Sequence, residues 1–375
     1  MERFDVAVVG GGIAGTSAAF FLSARCSVVL VERETTLGFH STGRSAAVFT
    51  ECYGEPVVRR LAIASRTFLD RPPDGFSDHP LLSARGIAFV ATHEQADRLD
   101  DLTASQQVLV PSVRRLSSVE ATDLCPVLDP AVVAGGVLEP QAMDLDVHAL
   151  HTGYQRGLTQ RGGDIRSGFG LEAAVRVGDD WVIRSGDEEL RAGVVIDAAG
   201  AWCDEVAGAA GVAPIGLVSK RRTAFTFAPP PDADHRSWPM IIDLDEQFYF
   251  KPEGASVLAS PADTFAMEPH DVRHREEDVA LGIERIQSVS SLSVRSIESA
   301  WAGLRSFVRD NQPVNGWDDA VENFYWLAGQ GGFGIKTSPA MGEYAAAMIL
   351  DGAPLEDHLA VGLDPVALGV ERLRD

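Results

Sequence analysis

Short runs of apolar residues, each followed at once by glycine, form the clearest pattern in the chain. Residues 5–9 (DVAVV) lead directly into residues 10–15 (GGGIAG), and small apolar residues without a helix breaker continue over residues 16–24. A second apolar run, residues 27–31, ends at Glu32. Because a continuous apolar run is typical of a strand buried on both faces of a parallel sheet, this region predicts a strand–helix–strand unit.

Two later segments repeat the combination of an apolar strand and a glycine turn. Residues 193–202 and 323–334 each carry such a run, and the second leads into a predicted helix over residues 338–350. The intervening residues alternate more and carry more charge, notably at 86–91 and 224–261, which indicates an antiparallel sheet. We therefore expect an α/β fold in which a parallel-sheet domain, built from discontinuous segments, holds an inserted domain based on an antiparallel sheet.

The composition is that of an ordinary globular protein, and it narrows the possible partners. The 375 residues suffice for about two domains. The formal charge is −22, because 54 Asp and Glu outnumber 32 Lys and Arg. Nucleic-acid phosphates and anionic lipids repel such a chain, so we expect no nucleic-acid partner. No run of 18 apolar residues occurs, so we expect no membrane insertion. With no signal-peptide pattern at the start, a cytoplasmic location is the expectation.

Cysteine and histidine give no sign of a metal site. The four cysteines stand far apart and form no C-x-x-C pair, so we expect free thiols rather than a zinc site or a disulfide framework. His148 and His151 lie three residues apart on a predicted helix over residues 146–157. A solvated helix face accounts for this spacing better than a metal pair does.

The glycine turn after the first strand has the spacing of a dinucleotide-binding motif. Gly10 permits a tight turn, Gly12 lets the backbone approach a pyrophosphate, and Gly15 lets the helix pack closely on the strand. The helix N-terminus offers N–H groups and a partial positive charge to the phosphates. Glu32, 20 residues beyond Gly12, is placed to accept both ribose hydroxyls of an adenosine and disfavours a 2′-phosphate. The motif alone does not distinguish NAD from FAD.

Further motifs distinguish the two cofactors, because in order along the chain they resemble the D-amino-acid oxidase and glycine oxidase superfamily of FAD enzymes. They are residues 38–47 (GFHSTGRSAA), 196–202 (IDAAGAW), 301–305 (WAGLR) and 329–335 (GQGGFGI), together with Arg222. Within that superfamily the chain is most similar to the D-arginine dehydrogenase-like branch. The resemblance extends from about residue 4 to about residue 350.

The resemblance implies a Rossmann-type FAD-binding domain with an inserted α+β substrate domain. The FAD-binding domain would comprise residues 1–80, 145–215 and 320–375, and the substrate domain residues 81–144 and 216–319. FAD would be held tightly and without a covalent bond. Together with the glycine turn and Glu32, the cofactor residues would be Ile13, Ala14, Arg33, Ser41, Thr42, Arg44, Ser45, Ala46, Ala199, Gly200, Trp202, Gly331, Gly332, Gly334, Ile335 and Lys336.

The reaction that the resemblance implies is oxidative deamination of an amino acid, with hydride transfer from the substrate Cα to flavin N5 and an unidentified electron acceptor. An amino-acid carboxylate suits a forked guanidinium, which pairs with both oxygens. Arg305 and Arg222 match the family's arginines at the substrate. Tyr53 and Tyr249 match positions where a phenol reaches the substrate, and Gly332 would offer backbone groups to the substrate amine.

Two positions depart from the arginine-oxidising pattern. Ile87 stands where such relatives carry a carboxylate, and Val48 stands where they tend to carry a histidine. Both changes make the pocket apolar, so we expect D-amino acids with apolar side chains to be preferred over D-arginine. Two alternatives stay open, namely oxidation of an N-methyl, cyclic or other α-substituted carboxylate, and a flavin-binding module without turnover.

Overall fold

The computed structural model describes residues 2–374. Its strands, in chain order, are β1 (Glu2–Val9), β2 (Val28–Glu32), β3 (Val48–Phe49), β4 (Leu82–Ala84), β5 (Ile87–Thr92), β6 (Arg114–Ser117), β7 (Val133–Glu139), β8 (Met143–Leu145), β9 (Asp164–Ser167), β10 (Ala173–Val177), β11 (Asp180–Ser185), β12 (Glu188–Asp197), β13 (Val218–Phe227), β14 (Met240–Asp243), β15 (Tyr249–Glu253), β16 (Ser256–Ser260), β17 (Ser299–Phe307), β18 (Val314–Trp317) and β19 (Phe324–Ala328).

The α-helices are α1 (Ile13–Leu22), α2 (Pro56–Asp70), α3 (Leu99–Gln107), α4 (Ser118–Leu124), α5 (Val147–Gln160), α6 (Cys203–Ala209), α7 (Glu276–Ser288), α8 (Gly334–Leu350), α9 (Glu356–Ala360) and α10 (Pro365–Leu368). Within residues 2–374, none of them combines the length and apolar character needed to cross a membrane. All four cysteines are free thiols, as predicted.

The first sheet contains the predicted parallel strands. β1 runs parallel to β2 on one side and to β12 on the other, and β9 and β19 extend the parallel order outward. On β1, Val6 and Val8 pack in the cluster that includes α1 and α8, whereas Ala7 and Val9 pack in the cluster that includes α6. The strand is therefore buried on both faces, which explains why its sequence is a continuous apolar run rather than an alternating one.

The junction of β1 and α1 is too tight for side chains. Gly10 has φ +111°, and a Cβ there would lie 2.5 Å from the carbonyl oxygen of Ala198 on the neighbouring segment. A Cβ on Gly15 would lie 1.9 Å from the carbonyl oxygen of Gly10. As a result α1 starts at Ile13, inside the glycine turn and three residues before the predicted start.

Helix α8 also starts earlier than predicted, at Gly334 rather than at residue 338. Its sequence contains Pro339, which cannot donate to the carbonyl of Ile335. The hydroxyl of Ser338 donates to that carbonyl instead (3.0 Å), and the N–H of Ala340 donates to Ser65 Oγ of α2 (3.2 Å). These side-chain bonds let the helix continue through proline, so its N-terminus lies directly after the second glycine turn.

The second sheet has the order β17-β13-β16-β15-β14-β5-β7-β6. It is antiparallel except that β5 and β14 pair in parallel, with Ile87 beside Met240. These two strands come from distant parts of the chain, so no tight turn forces them to be antiparallel. The strands β3, β8 and β4 form a separate three-stranded sheet in the order β3-β8-β4.

The strands of the first sheet come from three separate parts of the chain. With one exception they fall in residues 1–80, 145–215 and 320–375. That exception is β18, which lies before residue 320 and pairs with β19 of the first sheet. The chain therefore crosses for the last time from the second sheet to the first between β17 and β18.

Helices α1 and α8 pack closely at Gly342. A Cβ on Gly342 of α8 would lie 2.7 Å from the carbonyl carbon of Ser17 and 2.9 Å from its oxygen. We expect Gly342→Ala to lower the free energy of unfolding by about 1–3 kcal/mol, because backbone must move to admit the methyl group. Chemical denaturation measures this value.

The matched control is Gly208→Ala on α6, where a Cβ would meet nothing within 4 Å. Because alanine favours helix more than glycine does, this variant should be unchanged or more stable by up to about 1 kcal/mol. Equal destabilisation by the two variants would show that helix contact is not the cause.

Candidate functional site

One cleft of about 460 Å³ is lined by both glycine turns and by residues of both large sheets. Of the residues predicted from the sequence for cofactor, catalysis or substrate pocket, only Gly15 is absent from its lining. Gly15 packs behind the turn, against Gly10. The structure thus brings the predicted cofactor end and the predicted substrate end into one continuous space.

The first glycine turn presents main-chain donors to the cleft. Gly12 caps α1 without any side-chain hydrogen bond, and no acceptor within residues 2–374 takes the N–H of Gly12 or Ala14. The N–H of Ile13 donates to Thr42 Oγ1 (3.0 Å). The nearest atom to a Cβ on Gly12 would be Thr42 Oγ1, at 3.4 Å. Contacts within the protein therefore do not explain why this position is glycine. An anion that approaches the backbone accounts for it.

Glu32 ends β2 beside this turn. One carboxylate oxygen accepts from the N–H of Gly11 (2.7 Å) and the other from the N–H of Glu34 (2.9 Å). These two bonds fix the carboxylate at the cleft wall and leave lone pairs for further donors. Next to it, the Arg33 guanidinium lies over the Trp202 ring, 3.9 Å from the centroid. The same end of the cleft, beside β2, is also lined by Ala199, Gly200 and Trp202.

His151 supports the glycine turn from α5, which the sequence analysis did not foresee. It is buried, and not on a solvated helix face as expected, whereas His148 is exposed. Gln155 Nε2 lies 3.0 Å from His151 Nδ1, so His151 Nε2 donates to the carbonyl of Gly11 (2.9 Å). Burial lowers the pKa of His151, which favours this neutral form. The only sequence signal was its position on an amphipathic helix.

Residues 41–46 join the cofactor end of the cleft to β17 of the second sheet. Ser41 Oγ donates to the carbonyl of Leu304 (2.5 Å). The Arg44 guanidinium donates to the carbonyls of Val272 (2.9 Å) and Ala302 (3.1 Å) and pairs with Asp271. The guanidinium of Arg44 thus links residues 271–272 to β17. Ser45 and Ala46 line the adjoining part of the cleft.

Lys336 lies in the first turn of α8 and is buried. Its ammonium donates to the carbonyls of Thr50 (2.9 Å) and Tyr53 (2.7 Å). Burial lowers the pKa of Lys336 to about 7. The sequence analysis assigned Lys336 to the cofactor; in the structure its Nζ holds the segment that carries Tyr53.

The substrate end contains two guanidinium groups. Arg305 is half-buried and has no hydrogen-bond acceptor or ion-pair partner within residues 2–374. Burial, and then the charge of Arg222, lower the pKa of Arg305. Its guanidinium lies against the second glycine turn, because a Cβ on Gly332 would be 2.9 Å from Arg305 Nη1. Arg222 donates one bond, from Nε to the carbonyl of Asp263 (2.9 Å).

The two predicted tyrosines flank this end. Tyr249 is buried on β15, with the Arg222 guanidinium 6.0 Å from its ring centroid. Tyr53 donates to the Glu246 carboxylate, and burial raises the pKa of Tyr53. Glu246 sits in the turn between β14 and β15 with φ +56°. The sequence analysis did not assign Glu246 to the site, although it lines the cleft.

The remaining wall of the substrate end is apolar. Val48 and Ile87 line it together with Met240 and Ile242 of β14. Ile87 pairs with Met240 in the parallel register of β5 and β14, so the parallel pair of strands builds this wall. The two positions where the sequence departs from the arginine-oxidising pattern are therefore neighbours in one apolar surface.

These residues fit a dinucleotide cofactor with an anionic substrate beside it. Unused N–H donors at Gly12 and Ala14 suit a pyrophosphate, and Glu32 suits a ribose. Arg305 suits a carboxylate. Among residues 2–374, no group of three or more His, Cys, Asp or Glu side chains is arranged to hold a metal ion.

Comparison with known proteins agrees with this cofactor. The model of the DAO family, described as FAD dependent oxidoreductase, matches residues 5–348. FAD-dependent oxidoreductase domain-containing protein 1 of Xenopus laevis is 24% identical over 401 residues, which cover 94% of this chain and 80% of that protein. Mitochondrial dimethylglycine dehydrogenase of Rattus norvegicus is 22% identical over 401 residues, covering 98% of this chain but 45% of that protein.

The fold comparison gives the same architecture. The crystal structure of glycine oxidase from Geobacillus kaustophilus has a TM-score of 0.85 to this chain at 20% identity, and the match covers 99% of both chains. Since the family model spans nearly the whole chain, the protein belongs to the DAO family of FAD-dependent oxidoreductases and uses FAD as its cofactor.

Proposed function

We propose that the protein oxidises a D-amino acid with an apolar side chain to the corresponding imino acid. The observation that carries the proposal is Arg305, a half-buried cation at the cleft that has no ion-pair partner or hydrogen-bond acceptor among residues 2–374. A buried charge is costly unless it is paired, so a substrate anion is the natural partner. A carboxylate fits, because a guanidinium pairs with both of its oxygens.

In this proposal the chain's own residues bind and orient the substrate. Arg305 and Arg222 take the carboxylate, while the backbone of Gly332 next to Arg305 lies beside the substrate amine. Tyr249 and Tyr53 limit the space around the carboxylate and exclude water from it. Bound FAD supplies the redox chemistry by accepting a hydride from the substrate Cα.

We further propose that the two large sheets correspond to a cofactor domain and a substrate domain. Main-chain donors of Gly12 and Ala14, with Glu32 and Thr42, would hold the dinucleotide part of FAD. Residues of β13, β15 and β17 would hold the substrate. The cleft lined by both sets of residues would then bring substrate and cofactor together.

The apolar wall supports the preference for apolar side chains. Val48, Ile87, Met240 and Ile242 offer no acceptor to a guanidinium or ammonium group. Glu246 is the acid at this end of the cleft lining, and it already accepts from Tyr53. A cationic side chain would have to share this carboxylate with the Tyr53 phenol, which weighs against the arginine preference of the branch that the sequence most resembles.

A second candidate is oxidation of an N-substituted amino acid. Dimethylglycine dehydrogenase of Rattus norvegicus matches 98% of this chain, and by its name it acts on an N-methylated amino acid. Such a substrate keeps the carboxylate, so Arg305 and Arg222 would serve it equally well. Anaerobic flavin reduction with D-leucine, L-leucine and N-methylglycine distinguishes the two candidates.

We expect Arg305→Met to lower kcat/KM for the best substrate by about 30-fold or more, because a charged contact to the carboxylate is worth about 2–5 kcal/mol. FAD absorbance should be retained. The variant should melt at the same temperature or higher, since it removes a half-buried cation that Arg222 repels. Steady-state kinetics and thermal unfolding provide the two readouts.

The control for this variant is Arg295→Met, at an exposed position, which should leave both readouts unchanged. If Arg305→Met stays within threefold of the parent in kcat/KM, Arg305 is not a substrate residue.

We expect D-leucine, D-methionine and D-phenylalanine to give higher kcat/KM than D-lysine and D-arginine. Each methylene buried against the apolar wall contributes about 0.8 kcal/mol, whereas a buried cation without a partner is unfavourable. Ile87→Glu should raise kcat/KM for D-arginine and lower it for D-leucine.

Ile87→Leu is the matched control and should preserve the substrate order, because it keeps the wall apolar. A parent enzyme that prefers D-arginine would contradict the assignment of this wall.

A further inference from the structure

Arg221 and Thr223 lie on β13 on either side of Arg222. Successive side chains of a strand point to opposite faces, so Arg221 and Thr223 share one face and Arg222 takes the other. The observed environment agrees: Arg221 is 1% exposed and Thr223 is fully buried, whereas Arg222 lines the cleft. The basic triplet of the sequence is therefore split between a buried site and the candidate substrate site.

Asp263 binds the buried face of β13 at three points. Its carboxylate accepts from Arg221 Nε (3.1 Å), from the Thr223 N–H (2.6 Å) and from Thr223 Oγ1 (3.1 Å). Its side chain is 2% exposed. The ion pair is buried on both sides, so its geometry is costly to disturb.

Asp263 also touches the substrate-facing arginine, through its main chain. Its carbonyl accepts from Arg222 Nε (2.9 Å). The preceding residue, Ala262, lines the cleft with φ +54°, a conformation that residues with a side chain rarely adopt. Such a conformation persists only where its surroundings hold it, and the Asp263 carboxylate supplies three of those bonds.

We propose that Asp263, anchored by Arg221 and Thr223, is a positioning residue that aims the Arg222 guanidinium into the cleft. Holding Nε on a fixed carbonyl leaves the two terminal nitrogens of Arg222 directed at the carboxylate site. This inference rests on the proposed function, because it requires Arg222 to bind the substrate carboxylate. The anchor acts on binding of the anion and not on the redox step.

The test uses the FAD-loaded enzyme and a product-like anion, 4-methyl-2-oxopentanoate, whose binding is followed by the change in flavin absorbance. We expect Asp263→Asn to raise Kd for this anion about tenfold and to raise KM with little change in kcat, as for loss of uniform binding. In an Arg222→Met background, Asp263→Asn should change Kd by less than about twofold, because its effect passes through Arg222.

The matched control is Asp278→Asn. Asp278 pairs with the other side of the Arg221 guanidinium (2.5 Å) but has no bond to Arg222 or Asp263. It should lower the melting temperature without changing Kd. If Asp263→Asn does not fold, Thr223→Val removes one anchoring bond at nearly constant shape and should raise Kd about two- to fivefold.

Two results would overturn the inference: an unchanged Kd in Asp263→Asn or Thr223→Val, or an Asp263→Asn effect of full size in the Arg222→Met background. Failure of the proposed function has a different signature. In that case Arg222→Met and Arg305→Met would bind the anion as tightly as the parent enzyme does.

Discussion

Hydrogen-bond donors that find no acceptor in the described part of the chain converge on one cleft, and several distant parts of the fold hold these donors in place. At one end they are N–H groups of Gly12 and Ala14 at the start of α1. At the other end they are the guanidinium of Arg305 and the terminal nitrogens of its neighbour Arg222, whose Nε donates to the Asp263 carbonyl. A chain of net charge −22 has many acidic residues, yet none of those in residues 2–374 forms an ion pair with Arg305. The local geometry of the cleft therefore suits an anion, although the protein as a whole is negatively charged.

Buried side chains hold the segments that carry these donors in place, through hydrogen bonds to main-chain carbonyls. His151 fixes the carbonyl of Gly11 beneath the glycine turn. Lys336 fixes the carbonyls of Thr50 and Tyr53, and Glu139 accepts from Thr50 Oγ1 on the same segment. Each of these side chains comes from an element remote in the chain from the segment that it holds. Several parts of the fold therefore meet at the cleft.

The sequence alone was sufficient to predict those features that neighbouring residues determine. The glycine turn, Glu32 and the helix that follows β1 are set by steric needs of adjacent residues, and the resemblance added Arg222, Arg305 and both tyrosines. The supports were missed because nothing near His151 or Asp263 in sequence indicates what they touch. The parallel pairing of β5 and β14 was missed for the same reason, since alternation of apolar residues does not specify strand direction.

The order of the parts along the chain has a consequence for biosynthesis. The floor of the cleft is completed by residues 331–336 and by α8, whose Gly342 packs on the Ser17 backbone of α1. At ribosomal rates, α1 emerges roughly 15–65 s before α8 does. Throughout that interval the small, apolar surface of α1 has no α8 to cover it and no complete cofactor site exists. The complete cofactor site therefore forms only after most of the chain has been synthesised.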